Sequence, residues 1–94
     1  MTPISEWQWR DVRRLWNEWD PIGVGPEIGG PADEYDSYLG PTLRLLEQRA
    51  SVDELEQYLA QVTLQRMGLP ESPRAETSRR RFAMRLSEWY EVQR

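Results

Sequence analysis

The segment WDPIGVGPEIGGPADEYD, residues 19–36, interrupts a sequence that otherwise favours helix. Pro21 disfavours a helical conformation at the residue before it, so a preceding helix should end there. About a dozen loop residues follow, and loops of this length are uncommon in compact domains unless they are functional or disordered. Ile22, Val24 and Ile28 would each gain about 1.5–3 kcal/mol by burial, and the neighbouring glycines permit the necessary turns. We therefore predict an ordered structural loop.

A capping box marks the helix before this loop. Ser5 and Gln8 have the spacing at which each side chain bonds a backbone N–H of the helix start, and the predicted helix spans about 5–19. Its apolar face consists of Trp9, Val12, Leu15, Trp16 and Trp19. Trp7 lies off that face, so we consider it either an exposed anchor for a partner or a packing contact with the last helix.

The second helix is predicted to begin near Pro31 or Ala32, because proline suits the first helical position. Its apolar face consists of Tyr35, Tyr38, Leu39, Thr42, Leu43 and Leu46. The dipeptide Gly40-Pro41 lies inside this helix. Since Pro41 lacks an N–H and presses on the previous turn, we expect a kink or a short break there.

The third helix has clear signals at both ends. Ser51 and Glu54 form a second capping box, and Gly68 is a typical stop, which together predict a helix over about 52–67. Its main apolar face consists of Val52, Leu55, Tyr58, Leu59 and Val62. A second strip consists of Ala60, Leu64 and Met67. Either this helix contacts neighbours on two sides, or the second strip is a partner surface.

Residues 70–76 read as a linker, and a last helix is predicted from about Glu76 to the C-terminus. Its apolar face consists of Phe82, Leu86, Trp89 and Tyr90. The sequence has no internal repeat and no strand-like alternation. We predict an all-α fold, a small four-helix bundle with a long ordered loop between helices 1 and 2, in a single helical domain spanning residues 1–94.

Composition excludes several classes of chemistry. The chain has no Cys and no His, so disulfides, thiolate nucleophiles, imidazole bases and zinc sites built from these residues are excluded. It has no apolar run long enough to span a membrane and no targeting signal, so we expect a cytoplasmic protein. The net charge is −4, with 6 Arg against 12 acids in residues 1–70 and 6 Arg against 4 acids in residues 71–94. This balance disfavours nonspecific binding of nucleic acid.

An acidic set, Asp20, Asp33, Glu34 and Asp36, is the nearest approach to a catalytic or metal site. Several carboxylates can bind Mg²⁺ or Ca²⁺, or act as general acid and base. The structural alternative is that Asp33 and Glu34 favour the positive end of the helix dipole, and that Asp20 caps a helix or pairs with an arginine. We favour this alternative, and so predict no catalytic residue, cofactor or metal.

A basic run, Arg79, Arg80 and Arg81, begins the last helix, with Arg74 and Arg85 nearby. These side chains could contact phosphates or an acidic protein. The structural interpretation is that these arginines form a solvated helix face, and that their positive charge balances the acidic residues of the same chain.

Three stretches carry a resemblance to a known family: WNEWDPIGV (16–24), DEYDSYLGP (33–41) and SVDELEQYL (51–59). Over roughly residues 9–69 the chain resembles the YugE-like family of small bacterial helical proteins of unknown function. The resemblance implies a helical fold and no assigned catalytic residues. The Arg-rich last helix departs from this pattern. Short helical proteins similar to these also occur among bacterial toxin-immunity candidates.

The hypothesis that follows is a bacterial, cytoplasmic, non-enzymatic protein that binds another protein, as an immunity or antitoxin-like module. The alternatives are a metal-dependent or nucleotide-processing activity of the acidic set, and nucleic-acid binding by the Arg-rich helix. The candidate contact residues are Trp7, Asp20, Asp33, Glu34, Asp36, Arg79, Arg80 and Arg81.

Overall fold

The computed structural model describes residues 5–21 and 35–93. Within these ranges the chain forms four α-helices and no strand. The helices are α1 (Glu6–Trp19), α2 (Asp36–Glu47), α3 (Val52–Ala60) and α4 (Pro73–Gln93), and a π-helical segment, Gln61–Arg66, continues α3. The all-α prediction is confirmed, and a small helical bundle is consistent with these elements. The loop predicted to contain Ile22, Val24 and Ile28 lies outside the described residues.

The chain divides into two compact units, Met1–Leu45 and Leu46–Arg94. The first unit holds α1 and most of α2, and the second holds α3, the π-helical segment and α4. The excess of acidic residues falls in the first unit, which has 4 Arg against 8 acids, whereas the second has 8 Arg against 8 acids.

Helix α1 has the ends that its sequence predicts. The Ser5 hydroxyl oxygen accepts a hydrogen bond from the Gln8 N–H at 3.4 Å, and the Gln8 side chain accepts one from the Ser5 N–H at 3.1 Å. At the other end Asp20 adopts a left-handed conformation with φ of 46°, and its N–H donates to the Trp16 carbonyl at 2.9 Å. Pro21 follows, and α1 does not continue past it.

Helix α2 begins later than predicted and is not broken. Tyr35 lies in a turn and the helix begins at Asp36, so the prediction of a helix already formed at Tyr35 is wrong. The helix then runs through Pro41 to Glu47, so the alternative of a short break is also wrong. Gly40 removes one source of strain, because a residue without Cβ avoids much of the clash with a following proline ring.

The predicted third helix changes type halfway. It is α-helical over Val52–Ala60 and π-helical over Gln61–Arg66, so a uniform α-helix to Met67 is wrong. The Thr63 hydroxyl donates to the Leu59 carbonyl at 2.9 Å, where it competes with the backbone N–H that an α-helix would place there. Gly68 ends the helix with φ of 67°, in agreement with the predicted stop.

Helix α4 begins inside the stretch predicted as a linker. It starts at Pro73 rather than near Glu76, so residues 73–76 are helical. The Ser72 hydroxyl oxygen accepts from the Ala75 N–H at 3.0 Å, and the Ser72 carbonyl accepts from the Glu76 N–H at 3.0 Å. A capping serine followed by proline at the first helical position is a start signal, and the linker interpretation overlooked it.

Each unit has its own buried side chains. Those of the first unit are Val12, Leu15, Trp16, Tyr35, Leu39, Thr42 and Leu43. Those of the second are Leu46, Leu55, Leu59, Val62, Thr63, Arg79, Phe82, Ala83 and Leu86, and there α3 packs against α4. The second strip of the third helix, Ala60, Leu64 and Met67, is half-buried. Among the helices described, none is long and apolar enough to cross a membrane.

Candidate functional site

An aromatic cluster occupies the interior of the first unit. Trp16 has no exposed surface, and its ring lies 5.3 Å from that of Trp19 and 5.6 Å from those of Tyr35 and Tyr38. Its indole N–H donates to the Thr42 hydroxyl oxygen at 3.2 Å. The tyrosines at this place are packing residues, as the sequence indicated.

Asp20 is held by a residue of this cluster. The Tyr35 hydroxyl donates to an Asp20 carboxylate oxygen at 2.6 Å. Asp20 therefore joins the end of α1 to the residue that precedes α2. The sequence predicted that Asp20 either caps a helix or pairs with an arginine. The backbone of Asp20 ends the helix, and its side chain accepts a hydrogen bond from Tyr35.

Asp36 forms a two-point ion pair with Arg13. The Arg13 Nε donates to Oδ1 at 2.9 Å, and Nη2 donates to Oδ2. Such a pair of parallel bonds fixes both orientation and distance. It links the middle of α1 to the first residue of α2, so this carboxylate has a structural role.

The structure therefore describes only part of the acidic set that the sequence predicted. Asp33 and Glu34 lie outside the described residues. Asp20 and Asp36 bond different partners, Tyr35 and Arg13. In the part of the chain that the structure describes, no group of three or more acidic, His or Cys side chains is arranged to hold a metal ion.

Arg79, predicted as an exposed contact residue, is buried instead and only 4% exposed. Its guanidinium donates to Glu71 at 2.9 and 2.6 Å and to Glu56 at 3.2 Å. These bonds satisfy a cation that could not otherwise lie in the interior. The hydrogen bonds from Arg79 lower the pKa of Glu71, with help from the Ser72 N–H, and the carboxylate of Glu71 raises the pKa of Arg79. Arg79 therefore joins α4 to α3 and to the residues between them.

The other two arginines of the run are exposed. Arg80 donates to Asp53 at 2.7 Å, and this bond raises the pKa of Arg80. A shallow depression of about 390 Å³ lies on the outer side of α4. It is lined by Pro73, Glu76, Thr77, Arg80, Arg81 and Met84. This surface can contact a partner, whereas Arg79 beneath it cannot.

Helix α1 presents the other exposed surface of interest. Trp7 is 39% exposed, although an indole gains by burial. A second depression, of about 460 Å³, lies near the start of α1. It is lined by Ser5, Glu6, Trp9, Arg10 and Arg13.

Sequence reasoning missed Met84, which is 47% exposed, and the buried position of Arg79. A signal for Arg79 was present, because it precedes Phe82 and Leu86 by three and seven residues and so shares their helix face. No signal identified Glu56 and Glu71 as its partners, because that pairing depends on the tertiary fold.

Compared with models of known protein families, with curated proteins and with solved structures, the chain has no match. The resemblance to the YugE-like family stays a prediction from the residues.

Proposed function

We propose that the protein is a non-enzymatic, cytoplasmic helical module that binds another protein, in the manner of an immunity or antitoxin protein. The observation that carries the proposal is Trp7, which keeps 39% of its surface exposed on a unit with an acidic excess. Tryptophan is enriched among the residues that contribute most to binding at protein interfaces.

The charge of the first unit indicates the kind of partner. With 4 Arg against 8 acids, this unit attracts a basic protein surface. An apolar anchor on a unit with an acidic excess suits a partner whose basic surface surrounds an apolar pocket. A small bacterial toxin with a basic surface is one such partner, and short helical proteins similar to this chain occur among toxin-immunity candidates.

The contacts of Asp20, Asp36 and Arg79 weigh against the two alternatives. Asp20 and Asp36 already bond Tyr35 and Arg13. This weakens the case for a metal-dependent activity, which calorimetry with Mg²⁺, Ca²⁺ and Mn²⁺ tests directly. Arg79 is buried, so only its neighbours in the run could contact phosphates. Retention on DNA or RNA at low salt would favour that alternative.

The test is affinity capture from the native host with the wild-type chain, Trp7→Ala and Val92→Ala. Val92, 80% exposed near the end of α4, is the matched loss of an exposed apolar side chain. We expect the wild type and Val92→Ala to recover the same protein, and Trp7→Ala to recover at least about tenfold less, the scale of a lost anchor. Circular dichroism confirms that all three variants are folded.

Two results would contradict the proposal. The first is a wild-type chain that recovers no protein above background. The second is equal recovery by the wild type and Trp7→Ala, which would exclude Trp7 as the anchor. If the captured protein is encoded beside this chain and is toxic when expressed alone, rescue of growth by co-expression identifies the immunity role.

A further inference from the structure

The residues between the π-helical segment and α4 form an exposed connector. Of residues 67–72, which lie between the two elements, four are exposed and two, Met67 and Leu69, are half-buried. Segments with few buried apolar side chains and an exposed backbone are the ones that open locally while the rest of a protein stays folded. We call residues 67–72 the connector.

A backbone bond and a side-chain contact hold the connector in place. The Leu69 N–H donates to the Thr63 carbonyl at 2.9 Å. The two carboxylate oxygens of Glu71 accept from Arg79 at 2.9 and 2.6 Å. Arg79 belongs to α4 and is buried, so Glu71 joins an exposed segment to a fixed cation. Two parallel bonds of this kind fix both distance and orientation.

The packing of α3 against α4 has supports other than Glu71. The buried apolar side chains of this helix pair include Leu55, Leu59, Phe82 and Leu86. Arg79 also has a carboxylate partner on α3, because its Nε donates to Glu56 at 3.2 Å. Loss of the Glu71 contact therefore leaves the cation with one partner and the apolar core intact.

We propose that the connector is a strap that opens while α3 and α4 stay packed, and that the contact between Glu71 and Arg79 is the latch that holds it closed. In the open form Arg79 keeps its bond to Glu56 and loses its two bonds to Glu71. The strap and its latch belong to the second unit. The device is independent of the proposed function, which uses Trp7 in the first unit.

Amide hydrogen exchange, measured by NMR at increasing urea concentrations, tests the strap. The Leu69 N–H reports on the connector, and the N–H groups of Leu59 and Leu86 report on the helix pair. Because opening of the strap exposes little surface, the wild-type exchange of Leu69 should be faster than that of the two helix amides and nearly independent of low urea. The helix amides need global unfolding, so their exchange should speed up as urea rises.

Glu71→Ala and Glu56→Ala are a matched pair, since each removes one carboxylate partner of the same cation. Glu71→Ala should speed the exchange of Leu69 at least about threefold, because the closed strap then lacks its latch. Glu56→Ala should leave that exchange within about twofold of the wild type, because the Glu56 bond is present in the open and the closed strap alike. It should speed the exchange of the helix amides instead, since global unfolding breaks this bond.

Circular dichroism should show both variants folded. The proposal fails if Leu69 exchanges with the urea dependence of the helix amides, because the connector would then open only by global unfolding. It also fails if Glu71→Ala leaves the exchange of Leu69 unchanged, or if the two variants speed it equally, because neither result is compatible with a latch at Glu71.

Discussion

At the scale of the residue, the Thr42 hydroxyl uses both of its hydrogen-bonding roles inside the first unit. It accepts from the indole N–H of Trp16 at 3.2 Å and donates to the Tyr38 carbonyl at 2.7 Å. Trp16 and Thr42 are both fully buried, so no water replaces either bond. One hydroxyl thus allows the largest side chain of this core to be buried with its polar atom satisfied.

Thr42→Val should lower the free energy of unfolding by about 1–3 kcal/mol, the cost of leaving a buried donor without its acceptor. Valine has nearly the shape of threonine, so packing changes little. Urea denaturation followed by far-ultraviolet circular dichroism measures the loss. The same substitution in a Trp16→Phe background should cost less, because the indole donor is absent. An equal cost in both backgrounds would show that the Trp16 bond does not contribute.

At the scale of the element, local signals predicted three helix ends correctly, whereas the predicted start of α2 was too early and that of α4 too late. The capping boxes at Ser5 and Ser51 and the stop at Gly68 depend on neighbours a few residues apart, and all three appear as the sequence indicates. The π-helical segment, Gln61–Arg66, could not be predicted, because periodicity does not distinguish it over six residues.

Gly68→Ala should destabilise the second unit by about 1–2 kcal/mol, the cost of a Cβ in the left-handed conformation. No atom beyond the two adjacent residues lies within 4 Å of the position that the Cβ would take, so the loss comes from the backbone conformation. Gly68→Asn should cost less, since asparagine tolerates this conformation better. Thermal unfolding of both variants measures the order. Equal midpoints for the alanine and asparagine variants would rule out the backbone explanation.

At the scale of the whole molecule, charged residues have two different roles. Arg79, Glu56 and Glu71 form a network within the second unit, while the net negative charge belongs to the first. Composition could predict where the net negative charge lies, but not that Arg79 forms a network with Glu56 and Glu71. Arg79 and Glu56 are 23 residues apart, as are Arg13 and Asp36, so their pairing depends on the fold. This is why the candidate site could be predicted as a set of residues but not as a set of contacts.

The Glu71 carboxylate should make stability depend on pH. Its pKa in the folded protein lies below the ordinary value of 4.5, chiefly because Arg79 donates to it. Its stabilising effect is therefore complete above the unfolded pKa and is lost as the pH falls through the lowered folded pKa. Glu71→Gln should lower the melting temperature at neutral pH, and the difference from the wild type should shrink as the pH falls below about 4.5.

An Arg79→Met background is the control for this pH dependence, because methionine fills similar space without donating to Glu71. There Glu71→Gln should have a smaller effect at neutral pH. A difference between wild type and Glu71→Gln that stayed constant, or grew, on acidification would be incompatible with a lowered pKa. Melting temperatures measured by calorimetry across the acid range decide the matter.

The aromatic cluster around Trp16 also makes intrinsic tryptophan fluorescence a probe of one part of this chain. Trp7, Trp9, Trp16 and Trp19 belong to the first unit, and Trp89 alone belongs to the second. Intrinsic fluorescence is therefore dominated by one half of the chain, and the enclosed indole of Trp16 should emit toward the blue until that half opens. Far-ultraviolet dichroism averages over the helices of both halves. Transition curves that coincide by the two signals would mean that the halves melt as one, and curves that separate would mean that each melts by itself.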